Sequence, residues 1–115
     1  MNIVYKNKEK VFNENEKNGV YYLTYPLLEQ TGLVKHAFST RLGGVSKGVC
    51  STMNLSFSRG DREEDVRENF RRMANVLDVE ERDFVFSKQM HTTNVRVVRE
   101  EDRGKGLVKP LDYDD

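Results

Sequence analysis

The chain has 115 residues, enough for one domain at most, and its 33% charged and 37% hydrophobic composition gives a polar mean hydropathy of -0.74. Nineteen basic residues cancel nineteen acidic ones, which removes the global field that would argue for nucleic acid or an anionic membrane as partner. No apolar run approaches the roughly 20 residues of a membrane span, the N-terminus lacks a signal-peptide core, and the single Cys50 cannot close an internal disulfide, so a cytoplasmic location is expected.

Up to Lys35 the sequence reads as short strands joined by turns, at 3–5, 10–12 and 19–24, which together predict an N-terminal β-meander. The polar stretch 15–19 ends in Asn18-Gly19, a strong hairpin signal. Pro26 closes the third run, and 27–31 reads as a short helical turn ending at Gly32. Extended residues at 34–39 then lead into a loop rich in small and hydroxyl-bearing residues that runs from Arg41 through Gly43 and Gly44 to Asn54.

The strongest helical signal lies at about 61–77. Asp61 with Glu64 has the spacing of a capping box, and Val66, Phe70, Met73 and Leu77 form one apolar stripe. The opposite face mixes Arg67, Arg71 and Arg72 with Glu63, Glu64 and Glu68, the pattern of a solvated surface rather than a nucleic-acid stripe. Beyond it, 84–91 and 94–98 read as two further strands with a tight reversal at Thr92-Thr93, and 100–115 reads as loop or linker. The fold class expected is α+β, a mixed β-sheet with one amphipathic helix and no closing element at the C-terminus.

Two readings of the loop compete on its residues alone. Arg41 with Gly43, Gly44 and Ser46 has the composition of an anion cradle, in which backbone amides beside glycines approach a phosphate or carboxylate. The same residues also describe a β-turn with a solvated arginine. His36 and His91 are the only histidines, and each has a structural reading beside a functional one, as ligand or acid-base group. Cys50 reads as a small packed residue, and Asp61 as a helix cap before a catalytic carboxylate. No H-x-x-x-H or C-x-x-C spacing completes a zinc site.

Several motifs are linked in order and spacing: His-Ala-Phe-Ser-Thr-Arg-Leu-Gly-Gly-Val-Ser-Lys-Gly at 36–48, Met-Asn-Leu-Ser at 53–56, Gly-Asp at 60–61, Asp-Val-Arg-Glu-Asn at 65–69 and Ser-Lys-Gln-Met-His at 87–91. Over about residues 34–98 the chain thereby resembles the YfiH-like proteins, also called the laccase-domain or polyphenol oxidase family and now understood as purine nucleoside phosphorylases. Two positions depart from the pattern: Phe70 stands where the family commonly has arginine, and Thr92 where glycine or serine is frequent.

The resemblance implies a layered α/β/β/α fold, of which 1–115 would be the N-terminal part of a single domain. It implies phosphorolysis of adenosine, inosine, guanosine and methylthioadenosine to base and ribose 1-phosphate, with accompanying adenosine deamination. By the same resemblance His91 is a catalytic zinc ligand, its two companion ligands lying beyond this chain, and Arg41, Gly43, Gly44, Ser46 and Asn54 line the nucleoside and phosphate pocket. The missing C-terminal portion or a homo-oligomer partner would complete the site. Two other readings stay open: a non-catalytic structural or binding fragment, and a copper-dependent phenol oxidase, with copper in place of zinc. One histidine at the site and no cysteine-histidine cluster count against copper, since a blue-copper site alone needs two histidines and a cysteine.

Overall fold

The computed structural model describes residues 3–114, which form two compact units divided between Asp78 and Val79. The first unit is an α+β assembly of a three-stranded sheet and two helices: β1 (Asn13–Lys17), β2 (Val20–Thr24), α1 (Pro26–Thr31), β3 (Phe38–Ser39) and α2 (Glu63–Leu77). The sheet has the order β1-β2-β3 and both of its pairings are antiparallel.

The hairpin turn falls at Asn18-Gly19, as the sequence predicts. Lys17 pairs with Val20 across a two-residue loop, and Asn18 and Gly19 both take positive φ, at 52° and 82°. That is the type I′ geometry whose twist matches the flanking strands. The strand before it is misplaced in the sequence reading: residues 10–12 form no strand, and the ladder runs instead through the polar Asn-Glu-Asn-Glu-Lys of β1. An edge strand needs only one buried neighbour, so polarity does not bar it. Residues 3–5 form no strand either. Helix α1 matches its expected span, and Gly32 stops it in the left-handed conformation, its amide donating to the Glu29 carbonyl.

Helix α2 places Val66, Phe70 and Met73 in the interior as expected, with Ala74 beside them and Leu77 half-buried. Val20 of β2, Met53 and Met73 form a buried cluster on which Ala37, Leu55 and Val76 pack. Phe70 takes an apolar role where the family commonly has arginine: it is buried and stacks on Phe57 at 5.8 Å between ring centroids. The charged face carries the expected pairs, Glu63 with Arg67 and Glu68 with Arg71 and Arg72. Each contributes about 0.2–0.5 kcal/mol, so packing and not charge holds the helix.

Asp61 does not cap this helix. Arg62 occupies the cap position without a side-chain cap bond, and the Asp61 carboxylate is engaged elsewhere. His36 is structural: its Nε2 accepts the Tyr25 amide at 2.7 Å, and its ring stacks on Tyr25. Cys50 is half-buried, within a short 3-10 turn at Gly48–Cys50.

In the second unit the expected strands at 84–91 and 94–98 form no strand among the described residues, and His91 takes a positive φ of 56°. The segment read as linker is more ordered than expected. Gly104 donates its amide to the Phe84 carbonyl at 2.6 Å, Phe86 donates to the Lys105 carbonyl at 3.0 Å, and Leu107 is buried. Lys105 bridges Asp102 at 2.7 Å and Asp112 at 3.1 Å, and Tyr113 donates its hydroxyl to the Phe86 carbonyl. No helix among the described residues is long and apolar enough to cross a membrane.

Candidate functional site

Five of the six site residues expected from the sequence lie in one assembly in the first unit: the loop from Arg41 to Asn54, gripped by α2. The sixth, His91, belongs to the second unit, where it is exposed with φ 56°.

Close approach explains both loop glycines. A β-carbon on Gly43, whose φ is 100°, would stand 2.4 Å from the Gly19 carbonyl oxygen, and one on Gly44 would stand 2.1 Å from the Thr52 carbonyl oxygen. The first contact sets the loop against the hairpin turn; the second lets its two legs touch. Between those legs Thr52 acts as a double tie. Its hydroxyl accepts the Gly44 amide at 3.1 Å and donates to the Arg41 carbonyl, while its own carbonyl accepts the Ser46 amide at 2.9 Å. Arg41 is exposed, and its Nε donates to the Ser51 carbonyl at 3.1 Å.

The helix holds the loop from beneath. Asn69, with no exposed surface, accepts the Val45 amide on Oδ1 at 2.8 Å and donates from Nδ2 to Ser46 Oγ at 2.9 Å and to the Asn54 carbonyl at 2.8 Å. One turn on, Arg72 donates to the Gly43 carbonyl at 2.8 Å. Both Nδ2 protons and the Oδ1 oxygen of the Asn69 amide are thus engaged, the condition under which a buried polar group stabilises rather than costs.

Ser46 and Asn54 meet on a carboxylate that the sequence reading assigned to a helix cap. Ser46 donates to Asp61 Oδ2 at 2.5 Å, Asn54 Nδ2 donates to the same oxygen at 3.1 Å, and the Arg62 amide donates to Oδ1 at 2.8 Å. The Ser46 hydroxyl first, then the Asn54 amide and the Arg62 backbone, hold the Asp61 carboxyl below the usual aspartate range. Asp61 is therefore an anion that accepts from every neighbour and rigidifies the loop.

Gly44, Val45 and Ser46 all use their backbone amides inside the protein, so an anion at this loop would meet side-chain cations, Arg41 and Lys47, rather than those amides. The sequence reading missed Asn69 and Asp61 as site-building residues. The signal for Asn69 was available: a polar residue between Val66, Phe70 and Met73, on the face that packs inward. Among the described residues no group of three or more His, Cys, Asp and Glu side chains could hold a metal ion.

A family profile described as multi-copper polyphenol oxidoreductase laccase matches residues 35–114. The chain is 33% identical over 69 residues to the purine nucleoside phosphorylase YlmD of Bacillus subtilis, a stretch that covers 60% of this chain and 25% of that protein. It is 42% identical over 71 residues to a purine nucleoside phosphorylase of Deinococcus radiodurans, covering 61% of this chain and 28% of that one. The chain thus spans about a quarter of the length of these curated relatives.

Among solved structures, YlmD from Geobacillus stearothermophilus superposes with a TM-score of 0.69 at 28% identity, over 85% of this chain and 35% of that one. The Bacillus licheniformis hypothetical protein YfiH superposes with a TM-score of 0.70 at 24% identity, over 85% of this chain and 34% of that one, a likeness of fold. With the family profile matched across more than half of its length, the chain belongs to the YfiH-like, laccase-domain family described as multi-copper polyphenol oxidoreductase laccase.

Proposed function

We propose that this chain is part of a purine nucleoside phosphorylase-type enzyme and carries the phosphate-side wall of its site. One observation supports this reading above the others: the loop that bears Arg41 is held on both legs by α2, through Asn69 and Arg72, in a protein whose relatives carry the name purine nucleoside phosphorylase. A bent loop with three backbone amides tied inward, a buried amide beneath it and a cation at its mouth is costly to build for a plain turn. Arg41 supplies a planar fork that suits an oxyanion, and Gly43, Gly44, Ser46 and Asn54 set its position.

In the proposed reaction a phosphate oxygen attacks C1′ of the nucleoside, the C1′–N9 bond breaks with its electron pair leaving on the purine, and ribose 1-phosphate forms. Arg41 orients the phosphate and offsets repulsion as its oxygen nears the sugar. The proposed substrates are adenosine, inosine, guanosine and methylthioadenosine, with adenosine deamination as a second activity.

Zinc requires three or four protein ligands, and the described residues do not assemble such a set. His91 is proposed as one ligand, the others coming from the remainder of the polypeptide or from a second copy. Copper is the alternative occupant, in keeping with the family description, and would go with phenol oxidation. Incubation of the full polypeptide with each nucleoside, with and without inorganic phosphate, separates these readings. Phosphate-dependent release of base with ribose 1-phosphate supports the proposal. Release that ignores phosphate contradicts it, copper-dependent phenol oxidation favours the alternative, and absence of both activities favours a non-catalytic role.

A further inference from the structure

We infer that Asn69 is a positioning residue for the phosphate contact, acting on Arg41 through the loop backbone without touching substrate. The inference rests on the phosphorolysis reading above and deepens it.

Its two loop partners determine how the Asn69 amide is turned. Val45 offers an N–H and Asn54 offers a carbonyl oxygen, so only one orientation serves both, with Oδ1 toward Val45 and Nδ2 toward Asn54. The second Nδ2 proton goes to Ser46 Oγ, which makes Ser46 an acceptor there and sends its own proton to Asp61. Donation therefore runs one way, from Asn69 to Ser46 to Asp61, and Asn54 closes the ring by donating to the same carboxylate. A side chain at 69 must offer one acceptor and two donors at this reach, which an asparagine amide does and an aspartate does not.

Asn69 also lies where the two legs of the loop diverge. It grips Val45 on the outgoing leg and Asn54 on the returning one, and between those points Thr52 ties Gly44 and the Arg41 carbonyl together. Arg41 completes the frame by donating to Ser51 on the far leg. Release of Asn69 frees both legs at once, and the guanidinium moves with them. Because Asn69 has no exposed surface, its influence on substrate passes through this frame.

Asn69→Asp in the full-length protein tests the assignment, because it preserves shape and the Val45 contact while removing both donors. At neutral pH the KM for phosphate rises about 10- to 100-fold, as expected for a misplaced orienting group. The KM for nucleoside changes less than that for phosphate, because the group displaced, Arg41, is the one proposed to contact phosphate. Amides 44–46 exchange with deuterium faster. On acidification the new carboxyl gains a proton to donate, and the phosphate KM moves back toward that of the wild type, a recovery that Asn69→Leu does not show.

A fall in melting temperature with the phosphate KM unchanged, or an equal rise in both KM values, overturns the inference. If the wild type shows no phosphorolysis, the functional reading falls by itself. Asn69 is then judged on amide exchange and on binding of inorganic phosphate to the wild type and to Asn69→Asp. Unchanged exchange or unchanged phosphate binding overturns the positioning role, whereas faster exchange with weakened binding sustains it.

Discussion

Gly44 packs edge-on against Thr52, so that any β-carbon at position 44 would stand 2.1 Å from the Thr52 carbonyl oxygen. The obstacle is backbone, which cannot swing aside as a flexible side-chain end can. Gly44→Ala therefore has to part the legs of the loop, at a cost of about 1–3 kcal/mol. The change in urea midpoint measures this, and an unchanged midpoint would show that the legs are not in contact.

The depressed Asp61 carboxyl gives the loop an acid dependence. A carboxyl whose folded pKa lies below its unfolded value contributes stability that is fully present above the unfolded value, about 3.9 for aspartate. That contribution is lost as pH falls through the lower, folded value. The Ser46 and Asn54 contacts then loosen as pH falls through that depressed value. Asp61→Asn removes this acid-sensitive term. Denaturation midpoints of wild type and variant are expected to differ at neutral pH and to converge in acid; a gap that stays constant across the range contradicts the role given to Asp61.

His91 is the only residue of this chain proposed to touch a metal. His91→Ala in the full-length protein is expected to lose stoichiometric zinc, measured by elemental analysis after dialysis. Retention of one zinc per chain by that variant would remove His91 from the ligand set.

Much of the fold was legible because local chemistry decided it. Asn18-Gly19 has the residues that a type I′ turn demands, Gly32 ends α1 in the left-handed region, and the spacing of Val66, Phe70 and Met73 sets the inner face of α2. What could not be read depends on partners distant in sequence. The polar β1 becomes a strand only because β2 lies beside it, whereas 84–91 and 94–98 have strand composition and form none among the described residues. Asp61 has the spacing of a helix cap, and only the folded loop reveals that Ser46 and Asn54 take its carboxylate instead. The loop itself was found from Arg41 and its glycines, but the residue that holds it, Asn69, sits 24 positions from Val45, the amide it accepts.

Exposed apolar residues of the second unit predict association. Val95 is 91% exposed and Val97 is 70% exposed, in a run of strand composition that forms no strand among the described residues. Such exposed, β-branched residues with no strand partner are prone to pair with another chain. The 115-residue chain on its own is expected to form oligomers by light scattering, and the double substitution Val95→Lys with Val97→Lys to reduce them. A monodisperse, cooperatively melting monomer would contradict this.

Arg41→Ala in the full-length protein addresses the central claim most directly, because Arg41 is the residue proposed to contact phosphate. The measurement is the rate of ribose 1-phosphate formation as phosphate is varied at saturating nucleoside. Loss of a charge-assisted contact worth about 1.5–3 kcal/mol is expected to raise the phosphate KM by roughly 10- to 150-fold while leaving the nucleoside KM close to that of the wild type. An unchanged phosphate KM, in a variant as stable as its parent, would contradict the account.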